Sequence, residues 1–190
     1  VNLIGEHTDY NDGFVLPAAI DKEIIFAIAP NEEGKTRVYS YDLEKSAEFD
    51  LENISPAEEN WKNYLLGVLH QFRKGGHSIG NFDLVYGGNI PIGAGLSSSA
   101  AVECGLAFGL NHIYNLGLDN ITLAKMGQKA EHEFAKVMSG LMDQFANLFG
   151  KKNQVVKLDC RSLEYHYYNF DISEYRIVLC DTGVKHSLAS

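Results

Sequence analysis

A glycine-rich stretch organises this chain: Gly88-Asn89-Ile90-Pro91-Ile92-Gly93-Ala94-Gly95-Leu96-Ser97-Ser98-Ser99-Ala100-Ala101. Pro91 fixes its own backbone φ angle, while Gly93 and Gly95 allow positive φ angles and a close approach to a ligand. Serine is a favoured helix N-cap, and residues 100–109 hold a single charged side chain, Glu103, which predicts a largely buried helix. Unpaired amides and the positive end of the helix dipole would then face one point, and this arrangement suits a phosphate group.

Other phosphate-binding and nucleophile motifs do not fit this stretch. It lacks the Gly-x-x-x-x-Gly-Lys-Ser/Thr of a P-loop, and Ser97-Ser98 stand where a dinucleotide-binding fingerprint has its third glycine. The segment from Gly95 to Ser99 also lacks the last glycine of a nucleophile elbow. A serine-capped helix after an ordinary turn is the structural alternative, and three serines behind two glycines and a proline argue against it.

The composition is that of an ordinary globular chain. Its 190 residues are 45% hydrophobic and 22% charged, and no apolar run reaches the roughly 18 residues of a membrane span, so one domain with a core is expected. The formal net charge of −9 disfavours nucleic acid and anionic membranes as partners and favours small molecules. Cys104, Cys160 and Cys180 share no Cys-x-x-Cys spacing, so they indicate neither a disulfide framework nor a zinc site and fit a cytoplasmic protein.

Hydrophobic periodicity predicts strands mixed with helices. Strands are predicted over residues 14–19, 23–29, 36–41, 81–87, 154–159, 165–170 and 176–181, in a largely antiparallel sheet. Three further helices are predicted: one from Trp61 to Phe72 that Gly75-Gly76 ends, one that Asn120 caps, and one from Met142 that Gly150 ends. The inward stripe of the second is expected to be formed by Leu123, Met126, Ala130 and Phe134.

A second polar cluster lies near the first residues, where Asn2-Leu3-Ile4 is typical of the end of a strand. Glu6, His7 and Asp9 follow in a turn that Asn11-Asp12-Gly13 closes. A solvated loop is the ordinary interpretation of such a segment. Metal binding is a weaker one, because no Cys or His follows at a ligand spacing.

Two motifs together carry a resemblance to a known family. Pro-x-Gly-x-Gly-Leu-Ser-Ser-Ser-Ala at residues 91–100 is similar to the nucleotide-phosphate motif of the GHMP small-molecule kinases. Val-Asn-Leu-Ile-Gly-Glu-His-Thr-Asp-Tyr-Asn at residues 1–11 resembles the signature of the galactokinase branch nearly letter for letter. The resemblance covers essentially the whole chain and implies transfer of the ATP γ-phosphoryl group to O1 of D-galactose.

The resemblance also implies a domain organisation. Residues 1–190 would form the N-terminal domain of a GHMP kinase, an α+β unit similar to ribosomal protein S5 domain 2, with a mixed sheet packed with helices. The chain begins inside a motif that lies away from the terminus in the family, so a fragment of a monomeric parent is expected. A catalytic arginine just before Val1, a sugar-contacting tyrosine shortly after Ser190, and the ferredoxin-like C-terminal domain with its glycine-rich third motif would lie outside it.

The site residues follow from the same resemblance. Sugar contacts are implied for Glu6, His7, Thr8, Asp9, Gly140 and the catalytic Asp143. ATP contacts are implied for Ser40, Trp61, Tyr64, Gly93, Ala94, Gly95, Leu96, Ser97, Ser98 and Ser99. Mg²⁺ is assigned to Ser99 and Glu131, which supply the oxygen ligands that this ion prefers. Carboxylates and an imidazole are suitable hydrogen-bond partners for a polyol.

Several of these residues have structural alternatives that the sequence leaves open. Ser40 can be an exposed strand serine, Trp61 and Tyr64 can be core residues, and Glu131 can be solvated. Asp143 can be a first-turn aspartate that the helix dipole stabilises.

Two functional alternatives also stay open. One is a non-catalytic sugar and ATP sensor on the same scaffold, which the complete serine loop and Asp143 disfavour. The other is a serine hydrolase using His7 and Asp9, which the missing nucleophile elbow disfavours. Thr8 favours unsubstituted galactose, because the related N-acetylgalactosamine kinases tend to carry an apolar residue at this point.

Overall fold

The computed structural model describes residues 1–91, 93–171, 173 and 177–180. The α-helices within these ranges are α1 Asn60–Lys74, α2 Ser98–Ile113, α3 Asn120–Ala130 and α4 Met142–Phe149. The strands are β1 Phe14–Val15, β2 Ile24–Pro30, β3 Thr36–Ser40, β4 Lys45–Phe49, β5 Phe82–Gly88, β6 Gln154–Asp159 and β7 Tyr165–Asn169. Across the described part of the chain, no helix combines the length and the apolar character that crossing a membrane requires.

The strands form two sheets. The larger sheet has the order β2-β5-β3-β4, and the smaller has the order β1-β6-β7. Strand β5 runs antiparallel to β2 and parallel to β3, so that Leu84 pairs with Ile28 on one side and with Val38 on the other. The remaining pairings are antiparallel. The predicted mixed and largely antiparallel arrangement is confirmed.

One face of the larger sheet is covered by helices. In β5, Phe82, Leu84 and Tyr86 are buried while Val85 between them is exposed, which is the alternation expected of a strand with one covered face. The buried side chains join residues of α1, α2 and α3 in a single apolar cluster. A second, smaller cluster links α4 to the β1-β6-β7 sheet.

The predicted helices are present, and some predicted details are wrong. Asp119, and not Asn120, caps α3, because its carboxylate accepts a hydrogen bond from the amide of Thr122 at 2.7 Å. Strand β1 is shorter than predicted, and Asn2 contributes only an isolated bridge to Pro17. Strand β4 was not predicted. Of the strand predicted over 176–181, only residues 177–180 are among those described, and they form no strand.

The end of α3 brings the predicted metal ligand into the interior. The helix continues directly into a π-helix, Glu131–Ala135, and such turns occur frequently at functional sites. Just before it, Gly67 of α1 packs against Ala130, and a Cβ atom at Gly67 would lie 2.7 Å from the Cβ of Ala130. Because only glycine permits this approach, α1 lies directly against the residue that precedes the π-helix.

Candidate active site

The glycine-rich loop enters α2 through left-handed backbone conformations. Gly93 has a φ angle of 74° and Gly95 one of 70°, and a Cβ atom built on either would meet nothing within 4 Å. Ser97 occupies the N-cap position with a φ angle of 57°, and its side chain makes no capping hydrogen bond. The first amides of α2 are therefore left without a side-chain partner beside an open loop, as an anion-binding helix terminus requires.

A cavity of about 390 Å³ opens beside this loop. Its volume lies within the ~300–1,000 Å³ that is common for small-molecule sites. Every residue predicted to contact ATP lines this cavity except Ala94. The structure thus brings together the loop, α1 and the end of β3, which lie far apart in the sequence.

Helix α1 supplies the aromatic part of the cavity wall. Trp61 and Tyr64 lie three residues apart, on one face of the helix. The indole Nε1 of Trp61 is buried and has no acceptor in hydrogen-bonding geometry among the described residues. A buried donor of this kind normally finds a partner, so a ligand in the cavity could satisfy it. Ser40 also lines the cavity, but it is only 1% exposed.

Asp143 lies where this cavity adjoins a second one of about 470 Å³. The residues common to both cavities are Ile24, Ile90, Leu96 and Ser97. Asp143 lines the second cavity from the first turn of α4, and its interaction with Ser97 lowers its pKa. The carboxylate is therefore held directly beside the start of α2.

Charges around Asp143 have opposing effects on its pKa. Burial raises the pKa of Asp143 above its ordinary value, and the negative charges of Glu131 and Asp9 raise it further. The interaction with Ser97 lowers it. Carboxylates from two other segments, the N-terminal loop and the π-helix, thus lie near Asp143.

The loop that follows Val1 contacts the segment that precedes α4. The carboxylate of Asp9 packs so closely on Gly140 that any Cβ atom at this position would overlap it. Gly140 is therefore required for Asp9 to lie beside the Asp143 segment. Glu6 accepts a hydrogen bond of 2.8 Å from the side-chain amide of Asn2.

The other two predicted sugar contacts differ in their surroundings. His7 is exposed, has a φ angle of 61°, and forms a hydrogen bond with the hydroxyl of Tyr10. The hydroxyl of Thr8 lies 2.7 Å from the carbonyl oxygens of both Gly5 and Phe14, so it is engaged within the loop. The predicted sugar residues that line neither cavity are Glu6, His7, Thr8, Asp9 and Gly140.

Glu131 is the first residue of the π-helix and is only 4% exposed. Its Oε2 accepts hydrogen bonds from the Ser139 hydroxyl and, at 3.1 Å, from Nε2 of Gln144. Ser99 lines the cavity from the first turn of α2. No group of three or more His, Cys, Asp or Glu side chains is placed to bind a metal within residues 1–91, 93–171, 173 and 177–180. The predicted Mg²⁺ site has two protein ligands, the hydroxyl of Ser99 and the carboxylate of Glu131, so it does not amount to a group of this kind.

Sequence profiles of two protein families match this chain. The profile described as "GHMP kinases N terminal domain" matches residues 63–151, and the profile described as "Galactokinase galactose-binding signature" matches residues 1–30. The chain belongs to the GHMP kinase family. The fold predicted from the resemblance is confirmed.

Individual relatives are similar to this chain over all or most of its length. It is 41% identical over 194 residues to the galactokinase of Lactobacillus helveticus, covering 100% of this chain and 50% of that protein. The galactokinase of Lactococcus lactis, solved in complex with galactose, superposes with a TM-score of 0.85 at 36% identity, over 90% of this chain and 45% of the other. A heptose 1-phosphate kinase from a Bacteroides species shares the fold, with a TM-score of 0.70 at 21% identity over 92% of this chain and 58% of the other. The chain therefore spans about half the length of these galactokinases.

Two residues of this GHMP kinase chain were missed by the sequence predictions. Glu103 and Gln144 are both fully buried, and Nε2 of Gln144 lies 3.5 Å from Oε2 of Glu103. The sequence did point to Glu103, because it is the one charged residue in an otherwise uncharged helical segment. No local pattern pointed to Gln144, which lies 41 residues away from it.

Proposed function

We propose that the full-length protein containing this chain is a galactokinase, which transfers the γ-phosphoryl group of ATP to O1 of D-galactose. The observation that carries the proposal is the position of Asp143, which lines a cavity that shares Ser97 of the phosphate loop with the nucleotide cavity. A general base in phosphoryl transfer must stand at this point, between the sugar and the terminal phosphate. The galactokinases among the relatives support galactose as the sugar.

The nucleotide occupies the cavity beside the glycine-rich loop. The backbone amides from Gly93 to Ser99 hold the phosphates, because they lie at the positive end of α2 and have open space before them. Trp61 and Tyr64 contact the base, because both line this cavity from one face of α1. Ala94 lies outside the cavity lining and contributes only its backbone.

Asp143 acts as the general base. It accepts the proton of the O1 hydroxyl while O1 forms a bond to the γ-phosphorus, and the bond from this phosphorus to the bridging oxygen of ADP breaks. The raised pKa of Asp143 makes it a stronger base than an exposed aspartate, and the interaction with Ser97 limits the rise.

Ser99 and Glu131 would hold Mg²⁺. Their oxygens are the hard donors that this ion takes, and among the described residues hydrogen bonds reach Oε2 of Glu131 but not Oε1. The donor set therefore fits the ion. When bound, Mg²⁺ would neutralise negative charge on the transferring phosphoryl group. The loop amides orient the phosphates, and Asp143 removes the proton.

Glu6, His7 and Asp9 recognise the sugar hydroxyls. Asp9 is the best placed of the three, because it packs on Gly140 and its negative charge raises the pKa of Asp143. Thr8 acts through the shape of the loop, since its hydroxyl is engaged with backbone carbonyls. The protein would work in the cytoplasm as a monomer, and its net charge of −9 supports small molecules as its partners rather than nucleic acid or membranes.

Steady-state kinetics of the full-length protein with ATP and three sugars test this function. We expect kcat/KM for galactose to exceed that for glucose, which differs only at C4, by at least ~100-fold, because each unpaired polar group in the site costs roughly 1–3 kcal/mol. Better turnover of glucose or N-acetylgalactosamine would indicate a GHMP kinase for another sugar. Binding of galactose and ATP without any turnover would indicate the non-catalytic sensor instead.

A further inference from the structure

A buried polar bridge joins three elements behind the nucleotide cavity. Gln144 is fully buried and follows Asp143 directly on α4. Its Nε2 lies 3.1 Å from Oε2 of Glu131 on the π-helix and 3.5 Å from Oε2 of Glu103 on α2. One side-chain amide therefore connects α2, α4 and the π-helix.

This bridge leads to both residues that we assign to the metal. Glu131 is one end of it. Glu103, the other end, lies four residues after Ser99 on α2, and residues at this spacing share a helix face with about 5–6 Å between their Cβ atoms. Gln144 is thus placed between the carboxylate ligand and the helix face that carries the hydroxyl ligand.

The hydrogen bonds fix the orientation of the Glu131 carboxylate. A primary amide has two N–H groups, so Gln144 can donate one to each carboxylate. The Ser139 hydroxyl donates to the same Oε2 of Glu131. With two donors on Oε2, the carboxylate cannot rotate without breaking buried hydrogen bonds, and Oε1 is the oxygen left for a ligand.

We propose that Gln144 is a positioning residue, which orients Glu131 for Mg²⁺ binding while Glu103 anchors the other side of its amide. The inference rests on the proposed function, because that function assigns Glu131 to the metal. Residues that orient metal ligands typically change metal affinity or activity by 10- to 100-fold when they are replaced. Because Gln144 is adjacent to Asp143, the same side chain would also fix the metal site relative to the general base.

Calorimetry on the full-length protein tests this role without requiring turnover. Gln144→Met keeps a similar shape and removes the donor. We expect the factor by which Mg²⁺ tightens ATP binding to fall ~10-fold or more, in line with losses of orienting residues. The Kd of ATP without Mg²⁺ and the Kd of galactose should stay within about two-fold of wild type, whereas a merely structural defect would weaken all three.

Two further variants make the result decisive. In a Glu131→Gln background, Gln144→Met should change the Mg²⁺ enhancement by less than about two-fold, because residues that act through one another are non-additive. If Gln144→Met does not fold, Ser139→Ala replaces it, since Ser139 is the other donor to Oε2 of Glu131. In Ser139→Ala, the factor by which Mg²⁺ tightens ATP binding should fall several-fold.

An unchanged Mg²⁺ enhancement in the folded variant, or a full additional loss in the Glu131→Gln background, would overturn the positioning role. The proposed function fails separately, through absence of turnover with galactose in the wild-type protein.

Discussion

Glu103 is the buried acid whose surroundings have the clearest consequence for stability. Its Oε1 has no hydrogen-bond partner within the part of the chain that the structure describes. Burial, and then the negative charge of Glu131, raise the pKa of Glu103 well above its ordinary value of 4.5, and the hydrogen bond from Gln144 opposes this. The folded state thus binds the carboxyl proton of Glu103 more tightly than the unfolded state does. Stability from this group is fully present below pH 4.5 and is lost as the pH rises through the folded pKa.

Glu103→Gln should therefore change how stability depends on pH. Gln does not titrate, so the variant lacks the loss of stability that wild type undergoes above the unfolded pKa. We expect the unfolding free energy of the variant minus that of wild type to rise by up to about 1.4 kcal/mol per pH unit within that window. Urea unfolding of the full-length protein between pH 5 and 8 measures this difference. A difference that stays constant over that range would contradict a raised pKa for Glu103.

Local patterns in the sequence predicted some residue environments and not others. The low charge of residues 100–109 predicted the burial of α2, which the structure confirms. The partners of Glu103, Asp143 and Asp9 could not be predicted, because Gln144, Ser97 and Gly140 come from distant segments. The sequence predicts Asn120 as the cap of α3, whereas the cap is Asp119; both residue types are good caps, and only the backbone geometry decides between them.

At the scale of single elements, the glycine-rich loop gives a prediction with a matched control. Gly95→Val should raise the Kd of ATP ~10-fold or more, because a left-handed backbone costs an L-residue about 1–2 kcal/mol and the side chain would occupy phosphate space. Gly34 has a similar φ angle of 78°, and a Cβ atom there also meets nothing within 4 Å. Gly34→Val should therefore lose similar stability without losing ATP affinity. Equal effects of the two variants on ATP binding, measured by calorimetry, would remove the loop from the phosphate site.

The contact between α1 and α3 gives a second prediction at this scale. In Gly67→Ala the new methyl group would lie 2.9 Å from Cα of Ala130, whereas in Gly109→Ala it would meet the flexible Cδ1 end of Ile28. Both changes favour the helix by up to about 1 kcal/mol. Overpacking costs roughly 1–3 kcal/mol, so only Gly67→Ala should lower the unfolding midpoint. Thermal unfolding of both variants measures this, and equal midpoints would show that α1 and α3 can separate at no cost.

Elements with a clear hydrophobic period were predictable, and elements without one were not. Strand β3 alternates buried and exposed residues, and α1 carries a long apolar stripe. Strand β4 has only Phe49 buried, so its sequence carries no strand pattern, and it forms by pairing with β3. Its existence depends on the neighbouring strand more than on its own residues.

At the scale of the whole molecule, the fold assembles one site from three separated segments. The loop before α2 supplies Ser97, the first turn of α4 supplies Asp143, and the segment after Val1 supplies Asp9. Two cavities share lining residues at this point, and under the proposed function one would hold the sugar and the other the nucleotide. The sequence predicted these residues through family motifs, since no periodic pattern connects them.

The central claim is that Asp143 removes the proton from the sugar hydroxyl during phosphoryl transfer. Asp143→Asn in the full-length protein keeps the shape of the side chain and its contact with Ser97, and it removes the base. We expect kcat with galactose and ATP to fall by roughly 10²- to 10⁴-fold, while the Kd values of both ligands stay within a few-fold of wild type. Turnover close to that of wild type, with both ligands bound normally, would contradict the account.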